Sequence, residues 1–259
     1  MKSWRFIPIQ TESGYWNMAL DEAILRSIIN RKSPFTIRFY KWKPSTISIG
    51  KNQSLSTEVN VDIAKQKGFN IVRRITGGGA VFHDEFGEIT YSIMCSLKFL
   101  ENLNAKKVIE QFELIETGII EGLTNYGLKP EKGVIHCPAI FLNGKKFSGN
   151  AQVRKRGYLL QHGTILLEIN PELMYSVLKA PNNVTKSKMV KSVYTKCIGI
   201  KEQLINYIEN DFLQSLKQGF ESALHIKLEK GNFSEHEMET AKSLMIDKYS
   251  NEKWLAKYE

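Results

Sequence analysis

Residues 73–84 read RRITGGGAVFHD, with two arginines, three consecutive glycines and a histidine set between apolar positions. No packed helix or strand needs three adjacent residues without a Cβ, because glycine adds backbone entropy to the unfolded chain and nothing to a core. Such a run instead offers a bare main chain against which a ligand can lie, and successive N–H groups that form an anion-binding nest. Arg74 would add a charge-assisted contact. A hairpin with three turn glycines is the alternative. The stretch fits neither GxGxxG nor GxxxxGK[ST], so any phosphate site here is of another kind.

The 259 residues suffice for a sizeable core without a disulfide or structural metal. Hydrophobic residues at 42% and only seven prolines point to a globular chain. The N-terminal MKSWRFIPIQTESGYW has no long apolar stretch, and no segment approaches the roughly 18 apolar residues of a membrane span, so a cytoplasmic protein without a membrane partner is expected. Cys95, Cys137 and Cys197 are widely spaced with no CxxC, which suggests neither a disulfide framework nor a zinc site, and no metal ligand is assigned. A net charge of +9 suits an anionic partner or simple solubility. The basic clusters RKRG (154–157) and KSKMVK (186–191) lack interleaved aromatics, so nucleic acid is not the expected partner.

Apolar spacing marks elements along the chain. WRFIPI, EITYSIMCS and NIVRR read as strands, and YWNMALDEAILRSIIN as a helix. FTIRFYKW and STISIG, separated by KPS, suggest paired strands. VDIAKQKG is a short helix closed by Gly68, and AKKVIEQFELIETGIIEGLTNYG a long one ending at Gly127. Asn143-Gly144 is the preferred pair for a tight hairpin turn, and KRGY marks a second turn, giving three neighbouring antiparallel strands. From PELMYSVL onward the chain reads mostly helical, including KEQLINYIENDFLQSLKQGFESAL. Strands and long helices without regular βαβ alternation predict an α+β domain on a largely antiparallel mixed sheet flanked by helices, spanning residues 1–259 as one unit. In NGKKFSGNAQ (143–152), adjacent strand residues point to opposite faces, so one of Lys145 and Lys146 should face a pocket.

Together and in order, NMALDEAI, RFYKWKPSTISIG, RRITGGGAVFHD with EITYS, NGKKFSGNAQ, LQHGTILL and DKYSNEKW resemble the lipoate-protein ligase and octanoyltransferase superfamily over nearly the whole chain. The resemblance implies the fold of biotin-protein ligases and class II aminoacyl-tRNA synthetases. It implies Arg74 as a phosphate contact and Gly77, Gly78, Gly79, Ala80, Val81, Phe82 and His83 as the segment lying against an acyl-adenylate. Lys146 takes the family's essential lysine position, donating to carboxylate, phosphate and then oxyanion. One such preorganised donor supplies roughly 3 to 4 kcal/mol of transition-state stabilisation. His162 is either a substrate-orienting or a structural histidine. Trp42, Ile47, Ile49, Phe82 and Ile165 are candidates to line the acyl tunnel, and Cys95 and Cys197 read as packing thiols.

The activity implied first is that of an ATP-dependent lipoate-protein ligase. It would use ATP, Mg²⁺ and lipoate, form lipoyl-AMP, and acylate a lysine on a lipoyl domain or a glycine-cleavage H-type protein. The resemblance stops with the catalytic domain, so the accessory C-terminal domain of longer ligases is expected to be absent, with a separate accessory polypeptide as a possible partner. The alternative is an ATP-independent octanoyltransferase, in which Cys137, nine residues before Lys146, carries the acyl group as a thioester.

Overall fold

The computed structural model describes residues 2–133 and 138–259. In chain order the strands are β1 (Lys2–Glu12), β2 (Thr36–Trp42), β3 (Thr46–Ile49), β4 (Asn70–Arg73), β5 (Val81–His83), β6 (Glu88–Ser96), β7 (Pro130–Lys132), β8 (Ala139–Leu142), β9 (Lys145–Lys155), β10 (Tyr158–Leu166) and β11 (Ile226–Lys230). The α-helices are α1 (Gly14–Ile29), α2 (Leu55–Glu58), α3 (Val61–Gln66), α4 (Leu97–Asn102), α5 (Val108–Asn125), α6 (Pro171–Val177), α7 (Lys186–Lys196), α8 (Glu209–Leu224), α9 (Glu235–Leu244) and α10 (Glu252–Leu255).

Among the described residues, one sheet runs β11-β1-β2-β6-β10-β9-β8-β7 and a smaller one runs β4-β3-β5. The large sheet is antiparallel except where β1 pairs in parallel with β11 and β2. This is the expected α+β architecture. Gly68, Gly127, Asn143, Gly144, Arg156 and Gly157 all hold positive φ, so the anticipated turn and cap positions carry the left-handed backbone those residues tolerate. Among the described residues, no helix is long and apolar enough to cross a membrane.

The central strand β6 explains how the sheet divides the molecule. Its residues up to Cys95 are all buried, because both faces are covered. Ile89, Tyr91, Ile93 and Cys95 point into the main core with Ile115 and Ile119 of α5 and Leu216 and Phe220 of α8. The alternate residues Thr90 and Ser92 point to the other face, where Ser92 Oγ donates to Asp21 of α1. The face toward α5 and α8 is thus mainly apolar, whereas the other, polar face sets Thr90 and Ser92 beside an apolar cluster in which Met94 and Leu160 meet Ile24, Leu25 and Ile28 of α1.

Two expectations require correction. β2 and β3 do not pair: β2 joins β1 and β6, while β3 lies between β4 and β5 in the small sheet. Strand composition reports a fit to a pleated, buried surface but not which strand supplies the neighbour. The predicted helix beginning at Lys201 starts only at Glu209, after a 3₁₀ turn at Ile200–Gln203. Between them Leu204 and Tyr207 pack sideways on the core, and Ile208 N–H donates to Tyr126 OH at 2.9 Å, replacing a helical bond with a tertiary one.

Candidate active site

A cavity of about 630 Å³ lies over the polar face of the sheet. Tyr40, Thr90, Thr164 and Gly149 form one cross-strand row through β2, β6, β10 and β9, and all four line it. The segment from Gly78 to His83 lines a further side, and α6 and α7 contribute Met174, Tyr175 and Val193. Trp42 and Phe82 face this space. Ile47 and Ile49 pack instead into the small-sheet core, and Ile165 into the main core on the other side of the sheet.

Arg74 is buried beneath the glycine segment. Its Nε donates to Thr76 Oγ1 (3.1 Å), one terminal nitrogen to Ser48 O and Oγ (2.9 and 3.1 Å), and the other to the carbonyls of Gly77 and Gly79 (2.8 and 2.7 Å). A guanidinium has five N–H groups, so every donor is committed to a protein acceptor. Burial pulls its pKa down to about 10, which still leaves it charged at neutral pH. Arg74 thus braces the loop from below, and a phosphate would have to displace one of these acceptors. Gly77 does not line the cavity, whereas Gly78, Gly79, Ala80, Val81, Phe82 and His83 do. Tight packing holds the segment in place: a Cβ added at Gly50 would stand 2.0 Å from the carbonyl oxygen of Gly78.

From Arg74 two hydrogen-bond relays diverge. Thr76, having accepted from Arg74, donates to His162 Nε2 at 2.7 Å, and His162 Nδ1 approaches Asp21 Oδ2 at 3.4 Å. Ser48, likewise accepting from Arg74, is hydrogen-bonded to His83 Nε2 at 2.8 Å, and His83 Nδ1 donates to Glu88 Oε1 at 2.7 Å. The carboxylates accept, so each imidazole presents a proton on Nδ1 to its carboxylate. Trp42 stacks on His83 at 4.0 Å between centroids and donates its Nε1–H to Thr90.

Electrostatics at Asp21 follow from its partners. Burial alone would raise its pKa, but the hydrogen bond from His162 and the charge of Arg38, which donates to Oδ1 at 3.0 Å, hold it below the ordinary value. For His162, burial depresses the pKa and the Asp21 contact only partly opposes it, so the neutral ring that the relay requires is favoured.

Lys146 and Lys145 separate as alternation predicts. Lys146 lines the cavity, while Lys145 Nζ donates to the Tyr194 carbonyl at 3.0 Å outside it. Lys146 folds back over Gly149: a Cβ there would sit 3.1 Å from its Nζ. Among the described residues, Nζ makes no hydrogen bond or ion pair, so it is available to a ligand. Nearby, Asn150 links Tyr91 OH, which donates to its Oδ1 at 2.7 Å, to Glu116, which accepts from its Nδ2 at 2.8 Å. Burial pushes the Glu116 pKa up to about 7 against the opposing Asn150 hydrogen bond.

Of the two cysteines expected as packing thiols, Cys95 is one and Cys197 departs. Cys95 is fully buried, and burial raises its pKa. Cys197 is only half-buried and lines the cavity, its backbone bridging to Lys146. Burial raises its pKa too, opposed by Lys146, Lys196 and Lys145. An apolar neighbourhood, Cys-Ile-Gly-Ile, hid this from sequence reasoning. Cys137 lies outside the described residues; the next residue, Pro138, lines the cavity. Among the described residues, no group of three His, Cys, Asp or Glu side chains could hold a metal ion.

With this geometry in place, the relatives of the chain can be compared. Residues 13–221 match the lipoyl protein ligase A/B catalytic domain family. The chain belongs to that family. Among its relatives, the octanoyltransferase LipM of Brevibacillus brevis is 33% identical across 98% of this chain and 99% of its own length. That of Anoxybacillus flavithermus is 34% identical, covering 97% of each chain. Among solved structures, the bipartite lipoate protein ligase of Thermoplasma acidophilum matches with a TM-score of 0.86, 26% identity and coverage of 100% and 98%. A lipoate-protein ligase A bound with ATP matches with a TM-score of 0.84, 25% identity and full coverage of both chains.

Within this lipoyl ligase family, the expectation of an ATP-dependent lipoate-protein ligase is overturned. The relatives that match at 31–34% identity over almost the entire chain are octanoyltransferases. The glycine segment and the KKFSGNAQ lysine did not separate the two activities, because a bare main chain and a cation suit an acyl carbonyl in either reaction.

Proposed function

We propose that the protein transfers an octanoyl group from an acyl-carrier thioester to the ε-amine of a lysine on a lipoyl-domain or H-type acceptor, through a thioester on Cys137. The full-length similarity to named octanoyltransferases carries this reading. The Cys137 thiolate attacks the carrier thioester, the C–S bond to the carrier breaks, and the carrier leaves as its thiolate, which takes a proton from water. The acceptor amine, having lost a proton, then attacks the Cys137 thioester, an amide forms, and the enzyme thiol is released. Both steps develop negative charge on the carbonyl oxygen, and Lys146 supplies the ammonium that stabilises it. The bare glycine segment lets the acyl group lie against the main chain, and the apolar cavity wall takes its tail. No step uses a nucleotide.

The test incubates the protein with octanoyl-carrier protein and an apo lipoyl domain without ATP, following the acceptor by intact mass. Octanoylation lost in Cys137→Ser and kept in Cys197→Ser supports the proposal. Loss in Cys197→Ser alone moves the thioester to the cavity cysteine, and no octanoylation by the unmodified protein overturns the function.

A further inference from the structure

We infer that the outward face of α7 is the landing surface for the acidic carrier protein that brings the acyl thioester; this rests on the transferase reading above. The helix, KSKMVKSVYTK, carries four lysines and no acidic residue. Its two faces have different tasks. Val193 and the C-capping Cys197 line the acyl cavity, whereas Lys188 and Lys191 are exposed to solvent. A macromolecule seated on the lysine face therefore stands one helix diameter, about 10 Å, from the cavity lining, well within reach of a flexible prosthetic arm.

These lysines do not serve the helix itself. Lys186 and Lys188 occupy its first turn, where the macrodipole disfavours cations, and no acidic residue accompanies them there. Among the described residues, none of Lys186, Lys188, Lys191 and Lys196 forms an ion pair, although nearby Lys201 pairs with Glu168 at 2.7 Å. The adjacent carboxylate, Glu172, accepts from Tyr194 OH at 2.5 Å. Together with the bond from Lys145 to the Tyr194 carbonyl, this fastens the helix to α6 and β9. The result is an anchored, unneutralised cationic face, complementary to an acidic protein surface. RNA fits it less well, since Tyr194 is its one exposed aromatic, and a membrane would need apolar residues where the lysines stand.

The experiment compares the whole protein with its Lys188→Glu/Lys191→Glu variant in acyl loading from two donors, octanoyl-carrier protein and octanoyl-pantetheine. We expect KM for the carrier protein to rise roughly tenfold while loading from octanoyl-pantetheine is unchanged. The Lys188→Arg/Lys191→Arg variant should behave as the parent, and added salt should weaken the parent more than the charge-reversed variant. An equal loss with both donors, no loss with either, or a defect confined to transfer from the preloaded enzyme to the acceptor domain would overturn the inference. Loss of binding to a short RNA with carrier loading intact would do the same. If the parent protein loads from neither donor, the transferase reading has failed and this inference goes with it.

Discussion

Thr76 Oγ1 and His162 Nε2 stand 2.7 Å apart although 86 residues separate them in the chain. This one bond joins the glycine segment to the floor of the sheet and connects Arg74 to the buried Asp21.

Removing the hydroxyl leaves two buried groups without partners. Thr76→Val keeps the shape but deprives Arg74 Nε of an acceptor and His162 Nε2 of a donor. The variant should lose about 2–3 kcal/mol of stability in urea unfolding. Arg74→Lys should cost more, because an ammonium cannot reproduce the planar fork that holds Ser48, Thr76, Gly77 and Gly79 together. A Thr76→Val protein as stable as the parent would count against the relay.

The two neighbouring lysines should differ sharply. Lys146→Ala removes the cation over Gly149 and should lower the rate of acyl transfer by about 10²–10³-fold. Lys145→Ala removes an exposed bond to a carbonyl and should change the rate less than threefold, on the order of a surface contact. Acyl-transfer kinetics read both, and equal losses would reject the assignment.

Two glycines of adjacent strands test stability against function. At Gly163, a Cβ would lie 1.9 Å from Asn150 Oδ1 and 2.6 Å from Tyr91, so Gly163→Ala should destabilise by about 1–3 kcal/mol or more. At Gly149, the new Cβ meets only the far end of Lys146, a flexible side chain that can swing aside. Gly149→Ala should therefore keep its Tm within about two degrees while losing acyl-transfer activity, since the ammonium is displaced.

Glu116 sets a pH dependence of stability. Its folded pKa is raised from 4.5 to about 7 by burial, so the unfolded chain releases the proton first as pH increases. Stability from this group is complete below pH 4.5 and declines between 4.5 and about 7, by a total on the order of 3 kcal/mol. Glu116→Gln can still accept from Asn150 and removes the penalty. It should flatten that window and exceed the parent in stability above neutral pH, as measured by denaturant unfolding across a pH series.

Much of the fold was legible in the amino-acid order. The left-handed φ of Asn143, Gly144, Arg156 and Gly157 places both hairpin turns where the residue types put them. Strand alternation separated Lys146 from Lys145 because the period of a strand is two. Harder to read were the partners: β2 and β3 look alike locally yet enter different sheets, and Ile165 falls on the opposite side of the sheet from the cavity. Cys197 reads as a core thiol from its neighbours, and only the bridge to Lys146 brings it to the cavity.

The sequence by itself determined most of the elements, the hairpin turns, which of the two lysines faces the cavity and the family, since each rests on short stretches of chain, although the start of α8 was not among them. Tertiary structure decided what the charges do. Arg74, expected as a phosphate contact, lines the cavity, and its acceptors Ser48, Thr76, Gly77 and Gly79 converge on it from one strand and one loop and together take up all its donors. Asp21 meets His162 across 141 residues of chain. Hydrogen bonds of that span are chosen by how the sheets close on one another, which no local pattern encodes.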